Sequence, residues 1–119
     1  MKITILCVGK VKEKFYRDAI AEYSKRLSRY CKLEITEVSD EKTSEQATQT
    51  EIDIVKNKEG ERLLKNIKDD AYVICLAIDG KQLDSVELSQ KIDKLMTGGK
   101  SHLVFVIGGS LGLGCPMMY

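Results

Sequence analysis

The residues with the most chemical potential stand at the ends of apolar segments. The run Gly108-Gly109-Ser110-Leu111-Gly112 follows the apolar stretch 102–107. Glycine at the end of a buried strand permits positive φ and lets a ligand approach the backbone closely. The dinucleotide fingerprint G-x-G-x-x-G is not met, because Ser110 stands where its second glycine belongs. A phosphate loop is not met either, since no Gly-Lys-Ser/Thr follows. On spacing alone the cluster reads equally as a sharp turn and as a ligand cradle. Asp79 closes another apolar run, and it reads both as a strand-tip acid and as half of an Asp-Gly turn pair. His102 is the single histidine. General acid–base work needs a partner within hydrogen-bond reach, and the sequence nominates none, so His102 reads as a strand-end residue. Lys10, Lys12, Lys14 and Arg17, with Lys81 on a neighbouring turn, offer a small basic rim for RNA phosphates. The plainer reading, solvated lysines, is preferred for them.

The cysteines Cys7, Cys31, Cys75 and Cys115 are scattered without a C-x-x-C pair. Lying mostly in strand-like runs, they read as small hydrophobes, and no metal site is expected. The chain has 119 residues, 43% apolar and 31% charged, with a net charge of +1. That suits one globular domain and gives no overall attraction for a polyanion, so any nucleic-acid contact must rest on a local patch. No apolar run is long enough to span a bilayer, and residues 3–8 are too short a stretch for a signal peptide. A cytoplasmic protein is expected.

The elements that position these residues alternate regularly. Residues 3–8 read as a first strand ending at Gly9, and 12–30 as a helix with Phe15, Ala19, Tyr23 and Leu27 four apart on one face. The stretch 33–38 alternates with polar residues, which suits an edge strand. A polar loop over 39–50 leads to a second helix carrying Ile52, Val55, Leu63, Leu64 and Ile67, whose charged residues read as a solvated face. The continuous apolar run 72–78 suits the centre of a parallel sheet. Asp84-Ser85-Val86-Glu87 resembles a capping box opening a third helix, with Leu88, Ile92, Leu95 and Met96 as its stripe and Gly98-Gly99 as its stop. The last strand covers 102–107. This order predicts an α/β fold, a mainly parallel sheet with flanking helices joined by right-handed crossovers. Ligands in such sheets bind beyond the carboxyl ends of the strands, where Gly9-Lys10, Asp79-Gly80-Lys81 and Gly108 to Gly112 all fall. A receiver domain would need acids after the first strand to hold magnesium, and a flavodoxin would need a Ser/Thr-rich loop there. Gly9-Lys10-Val11-Lys12-Glu13 provides neither.

Taken together and in order, several stretches resemble one family. They are Met1-Lys2-Ile3-Thr4-Ile5, Val8-Gly9-Lys10, Lys12-Glu13-Lys14, Ala21-Glu22-Tyr23, Glu59-Gly60, Ile78-Asp79-Gly80-Lys81 and Phe105-Val106-Ile107-Gly108-Gly109-Ser110. From Met1 to about Leu113 the chain resembles RlmH, a family of SPOUT-class ribosomal RNA methyltransferases. The resemblance implies an α/β knot fold with S-adenosyl-L-methionine as methyl donor. It implies methylation of N3 of a pseudouridine in 23S ribosomal RNA on the assembled ribosome, and a homodimer. Leu76 and Gly108 align with family positions that contact the cofactor, and Gly109 stands beside them as the third candidate. A leucine can pack an adenine face, and a residue without a side chain lets main-chain groups approach a nucleoside. The resemblance carries over no catalytic residue.

Family members continue beyond this point through a Ser-Lys-Met-Thr-Phe-Pro-His-type stretch and a dimer-forming helix. Residues 113–119 of this chain have no such likeness. The expectation is therefore one SPOUT-like methyltransferase domain over 1–119, truncated at its carboxyl end, with the knot-forming segment missing. Such a chain is expected to be marginally stable, molten or self-associated through uncovered apolar surface. The alternative function is a non-catalytic α/β remnant or interaction module.

Overall fold

The computed structural model describes residues 1–41, 46–76 and 80–108. Its elements are β1 (Lys2–Val8), α1 (Lys14–Leu27), β2 (Lys32–Val38), α2 (Gln49–Leu64), β3 (Tyr72–Leu76), α3 (Ser85–Thr97) and β4 (His102–Ile107). The strands form one four-stranded sheet in the order β2-β1-β4-β3, and every neighbouring pair is parallel. The expected α/β class with helices between parallel strands is what the chain adopts. Ala77, Ile78, Asp79 and the run from Gly109 to Tyr119, which includes Cys115, lie outside the described residues.

Local chemistry explains where the elements begin and end. Asp84 caps α3 reciprocally: the Glu87 N–H donates to Asp84 Oδ1 at 2.8 Å, and the Asp84 N–H donates to Glu87 Oε1 at 3.5 Å. This is the capping box read from the sequence. The helix stops at Gly98, and Gly99 takes φ +92°, so that the Lys100 N–H can return to the Leu95 carbonyl at 2.9 Å. Thr48 caps α2 by accepting from the Glu51 N–H at 3.3 Å. The first helix is shorter than the periodicity predicts. It closes at Leu27, and a turn follows in which the Tyr30 N–H donates to the Leu27 carbonyl.

Successive strand residues point to opposite faces. Leu6 on β1 and Val104 and Val106 on β4 share the face covered by α2, where Leu63 completes a fully buried cluster. Val8, Val38, Ile67, Ala71, Val73 and Cys75 pack around it. Right-handed crossovers assign α2 to this face and α1 and α3 to the other. The expectation of an edge position for the 33–38 strand holds, since among the described residues β2 pairs only with β1. The central position expected for β3 does not: among the described residues β3 pairs only with β4. An unbroken apolar run reports helices over both faces of a strand, not partners along both of its edges.

Candidate functional site

The register brings the strand tips together at one rim. Glu37, Cys7, Ile107 and Leu76 form one row across the sheet, through the pairs Cys7–Glu37, Cys7–Ile107 and Leu76–Ile107. Residues opposite one another in adjacent strands share a face, so this row lies on the α1/α3 side. Leu76 is 52% exposed and Ile107 42% exposed. Two neighbouring strands therefore end in a bare apolar step, and the half-buried Gly108 follows immediately on the second. Of the sequence candidates, Leu76 and Gly108 meet here, while Gly109 and Asp79 fall outside the described residues. Ile107 was missed by sequence reasoning, because its apolar type reads as core. Its pairing with Leu76 is the signal that places it at the rim.

Gly9 leaves β1 at φ +87°, a conformation that L side chains rarely adopt. Its N–H donates to the Val38 carbonyl at 2.8 Å, which ties the tip of β1 to the end of β2. The chain then runs through Lys10, Lys12, Lys14 and Arg17, all exposed, as is Lys81 after β3. None of these five side chains makes an ion pair among the described residues. Within the same row as Leu76 and Ile107, the Cys7 Sγ donates to the Thr36 carbonyl at 3.7 Å. Burial, and secondarily the Glu37 carboxylate, raises the Cys7 thiol above its ordinary value. It is therefore a protonated, weakly nucleophilic sulfur at neutral pH.

Behind the rim, α2 grips the exit of β2. Glu59 is 4% exposed, and its Oε2 accepts from the Glu41 N–H at 3.0 Å. One turn on, Arg62 pairs with the Glu41 carboxylate and donates to the Ser39 carbonyl at 3.0 Å. Among the described residues, the other Glu59 oxygen is buried without a hydrogen-bond partner. The reading of the charged residues of α2 as a solvated face is corrected at these two positions. In a helix rich in Lys and Glu, charge alone does not identify the side chain that turns inward.

His102 sits at the opposite end of the sheet, where its Nε2 lies 2.9 Å from the hydroxyl of the buried Thr4. It is the strand-end histidine expected, remote from the rim. An open hollow lined by Gln82, Leu83, Asp84 and Glu87 flanks the start of α3, but its two acids are committed to the helix cap. Among the described residues, no group of three metal-ligating side chains occurs and no helix is long and apolar enough to cross a membrane.

Comparison with known proteins agrees with this geometry. A family model described as "Predicted SPOUT methyltransferase" matches residues 1–118, which extends past Leu113. The chain is 63% identical over 113 residues to the ribosomal RNA large subunit methyltransferase H of Bifidobacterium adolescentis, covering 95% of this chain and 71% of that protein. It is 51% identical over 118 residues to the protein of the same name from Clostridium kluyveri, covering 99% and 74%. The Limosilactobacillus reuteri protein of that name is 58% identical over 113 residues, covering 95% and 71%. The family model spans nearly the whole chain and these relatives exceed half identity, so the chain belongs to the SPOUT methyltransferases and, within them, to the RlmH family of methyltransferase enzymes.

Proposed function

We propose that this protein uses S-adenosyl-L-methionine to methylate N3 of a pseudouridine in 23S ribosomal RNA, with the cofactor held at the tips of β3 and β4. The observation that carries the reading is the apolar step at this rim: Leu76 and Ile107 lie side by side and half exposed, with Gly108 directly after them. The names of the relatives supply the substrate class, large-subunit ribosomal RNA.

The residues present fit such a ligand. An exposed leucine–isoleucine pair is suited to the face of an adenine ring, and a glycine beside it leaves backbone groups open to a nucleoside. Leu76, Gly108 and Gly109 would hold the cofactor, which when bound supplies a methyl group on a sulfonium sulfur. The protein's part is orientation, because in-line transfer depends on holding the acceptor nitrogen in the right place. The Gly9–Val38 hydrogen bond and the α2 grip on Ser39 and Glu41 stiffen the neighbouring part of the rim. The N3 proton of the acceptor must also leave, and no described side chain is assigned that role.

Residues 1–119 act as a single domain in this reading, in the cytoplasm where ribosomes are found. A homodimer fits the outward apolar stripe of α1, on which Phe15 and Tyr23 are each 63% exposed. The test is transfer of labelled methyl from S-adenosyl-L-methionine to ribosomes that lack the modification. Label at the pseudouridine N3 is expected. Label at another position, or none with the cofactor demonstrably bound, would contradict the proposal.

A further inference from the structure

Charge is distributed unevenly in this protein. Residues 10–32 contain eight Lys and Arg against three Asp and Glu, a surplus of five in a chain whose net charge is +1. The remainder of the chain is therefore acidic overall, and α1 with its approaches is the one strongly basic region of the sequence. The helix spans Lys14–Leu27, about 20 Å at 1.5 Å per residue, which separates two basic groups. Lys10, Lys12, Lys14 and Arg17 stand at the rim end, and Lys25 and Arg29 at the far end.

The rim group has the placement that matters for the chemistry. Lys10 follows Gly9 at the tip of β1, and β1 is hydrogen-bonded to β4. Adjacent strands lie about 5 Å apart, so the cations begin roughly one strand spacing from the strand that ends in Gly108. All four are exposed and make no ion pair among the described residues. The basic side chains that do pair lie elsewhere, as in Lys2 with Glu34 and Arg26 with Glu22. Glycine at the β1 tip and its tie to Val38 fix where this cationic segment begins.

We propose that Lys10, Lys12, Lys14 and Arg17 form the edge that contacts the phosphate backbone of the RNA substrate, delivering the acceptor base to the β3–β4 tip. The proposal rests on the RNA methyltransferase reading and adds to it the surface on which the RNA lies. Neutralising phosphates releases condensed counterions, so binding through this edge depends on salt and not on sequence. Any RNA of modest length therefore serves as a probe.

The experiment is fluorescence anisotropy of a labelled single-stranded RNA oligonucleotide with the full chain over a range of potassium chloride concentrations. Each phosphate contact to single-stranded RNA contributes about 0.7 to the slope of log K against log salt, or about fivefold in affinity between 1 M and 0.1 M. The pair Lys10→Gln/Lys12→Gln is expected to weaken binding about 25-fold at 0.1 M and to flatten the slope by about 1.4. The control pair Lys25→Gln/Arg29→Gln is expected to change affinity by less than about threefold, and Lys10→Arg/Lys12→Arg is expected to retain binding. Equal losses from the rim and control pairs, an unchanged slope, or no RNA binding by the wild type at low salt would each overturn the proposal. Calorimetry with S-adenosyl-L-methionine, which neither pair is expected to disturb, separates failure of this surface from failure of the enzymatic reading.

Discussion

The two faces of the sheet are made by the same strands and finished differently. On the α2 face, Leu6, Leu63, Val104 and Val106 are sealed from solvent. On the opposite face Leu103 is fully buried on β4, but Ile35, Ile107 and Leu76 remain 41%, 42% and 52% exposed. Alternating strand residues supply apolar side chains to both faces, so composition does not make the difference. Connectivity does. The α2 crossover runs from β2 to β3, from one end of the sheet to the other, and must pass over the middle strands. By contrast, α1 joins the neighbours β1 and β2, and α3 joins the neighbours β3 and β4. Each of those helices spans only its own pair of strands, and toward the strand tips this face is left half-exposed. The candidate cofactor step lies on this open face, where apolar surface is still available to a ligand.

The comparison breaks most visibly through deletions in the two faces. Leu63→Ala removes a fully buried side chain and is expected to cost about 2–5 kcal/mol, read by chemical denaturation. Ile35→Ala on the open face is expected to cost about 1.5 kcal/mol or less, because 41% of that residue already meets water. Equal losses would mean that the two faces are equally packed.

A second contrast concerns association. The exposed aromatics of α1 add little to folding but present surface that another molecule can bury. Phe15→Ser with Tyr23→Ser is expected to leave unfolding free energy within about 0.5 kcal/mol. The same pair should weaken self-association by about tenfold or more in sedimentation equilibrium, the equivalent of about 1.4 kcal/mol. A monomer at all concentrations in the wild type would remove the premise.

The grip of α2 on the end of β2 gives an effect of intermediate size. Glu59→Ala leaves the Glu41 N–H without its acceptor, at an expected cost of about 1–3 kcal/mol. Glu59→Gln keeps an oxygen for that bond and should fall nearer the wild type. Indistinguishable melts for the two variants would show that the hydrogen bond contributes nothing.

The smallest expected effect is a pH dependence. Burial raises the Cys75 thiol, and burial with Glu37 raises Cys7, from an ordinary value of 9.0. A group whose folded pKa is raised favours the folded state while protonated. That contribution is present in full below pH 9 and is lost as pH rises through the folded values. Melting temperature should therefore decline on the alkaline side of 9, and the decline should be shallower in Cys7→Ala/Cys75→Ala. A wild-type profile no steeper than that of the double variant would contradict the assignment.

Much of this architecture was legible in the sequence because periodicity reports burial directly. The alternation of strand and helix, the capping box at Asp84, the glycine stop after α3 and the edge position of β2 all follow from local patterns. The end position of β3 among the described strands does not, since side-chain pattern records what covers a strand's faces and is silent about its edges. The inward turn of Glu59 was hidden because a buried glutamate in a Lys/Glu-rich helix looks like its solvated neighbours. Ile67 lies beyond the end of α2, yet it packs on the core it was expected to join. At the candidate site, Leu76 and Gly108 came from family resemblance. Physical pattern alone could place them at strand ends, and only the register, through the Leu76–Ile107 pair, brings them to one rim.

The most direct test of the cofactor assignment is titration calorimetry of S-adenosyl-L-methionine into the wild type and into Gly108→Val. We expect micromolar affinity in the wild type and a loss of at least about tenfold in the variant, as a side chain fills the approach to the backbone. Circular dichroism melts of the two proteins should superimpose. No heat at millimolar cofactor, or equal affinity in the two proteins, would contradict a methyl-donor site at the β3–β4 tip.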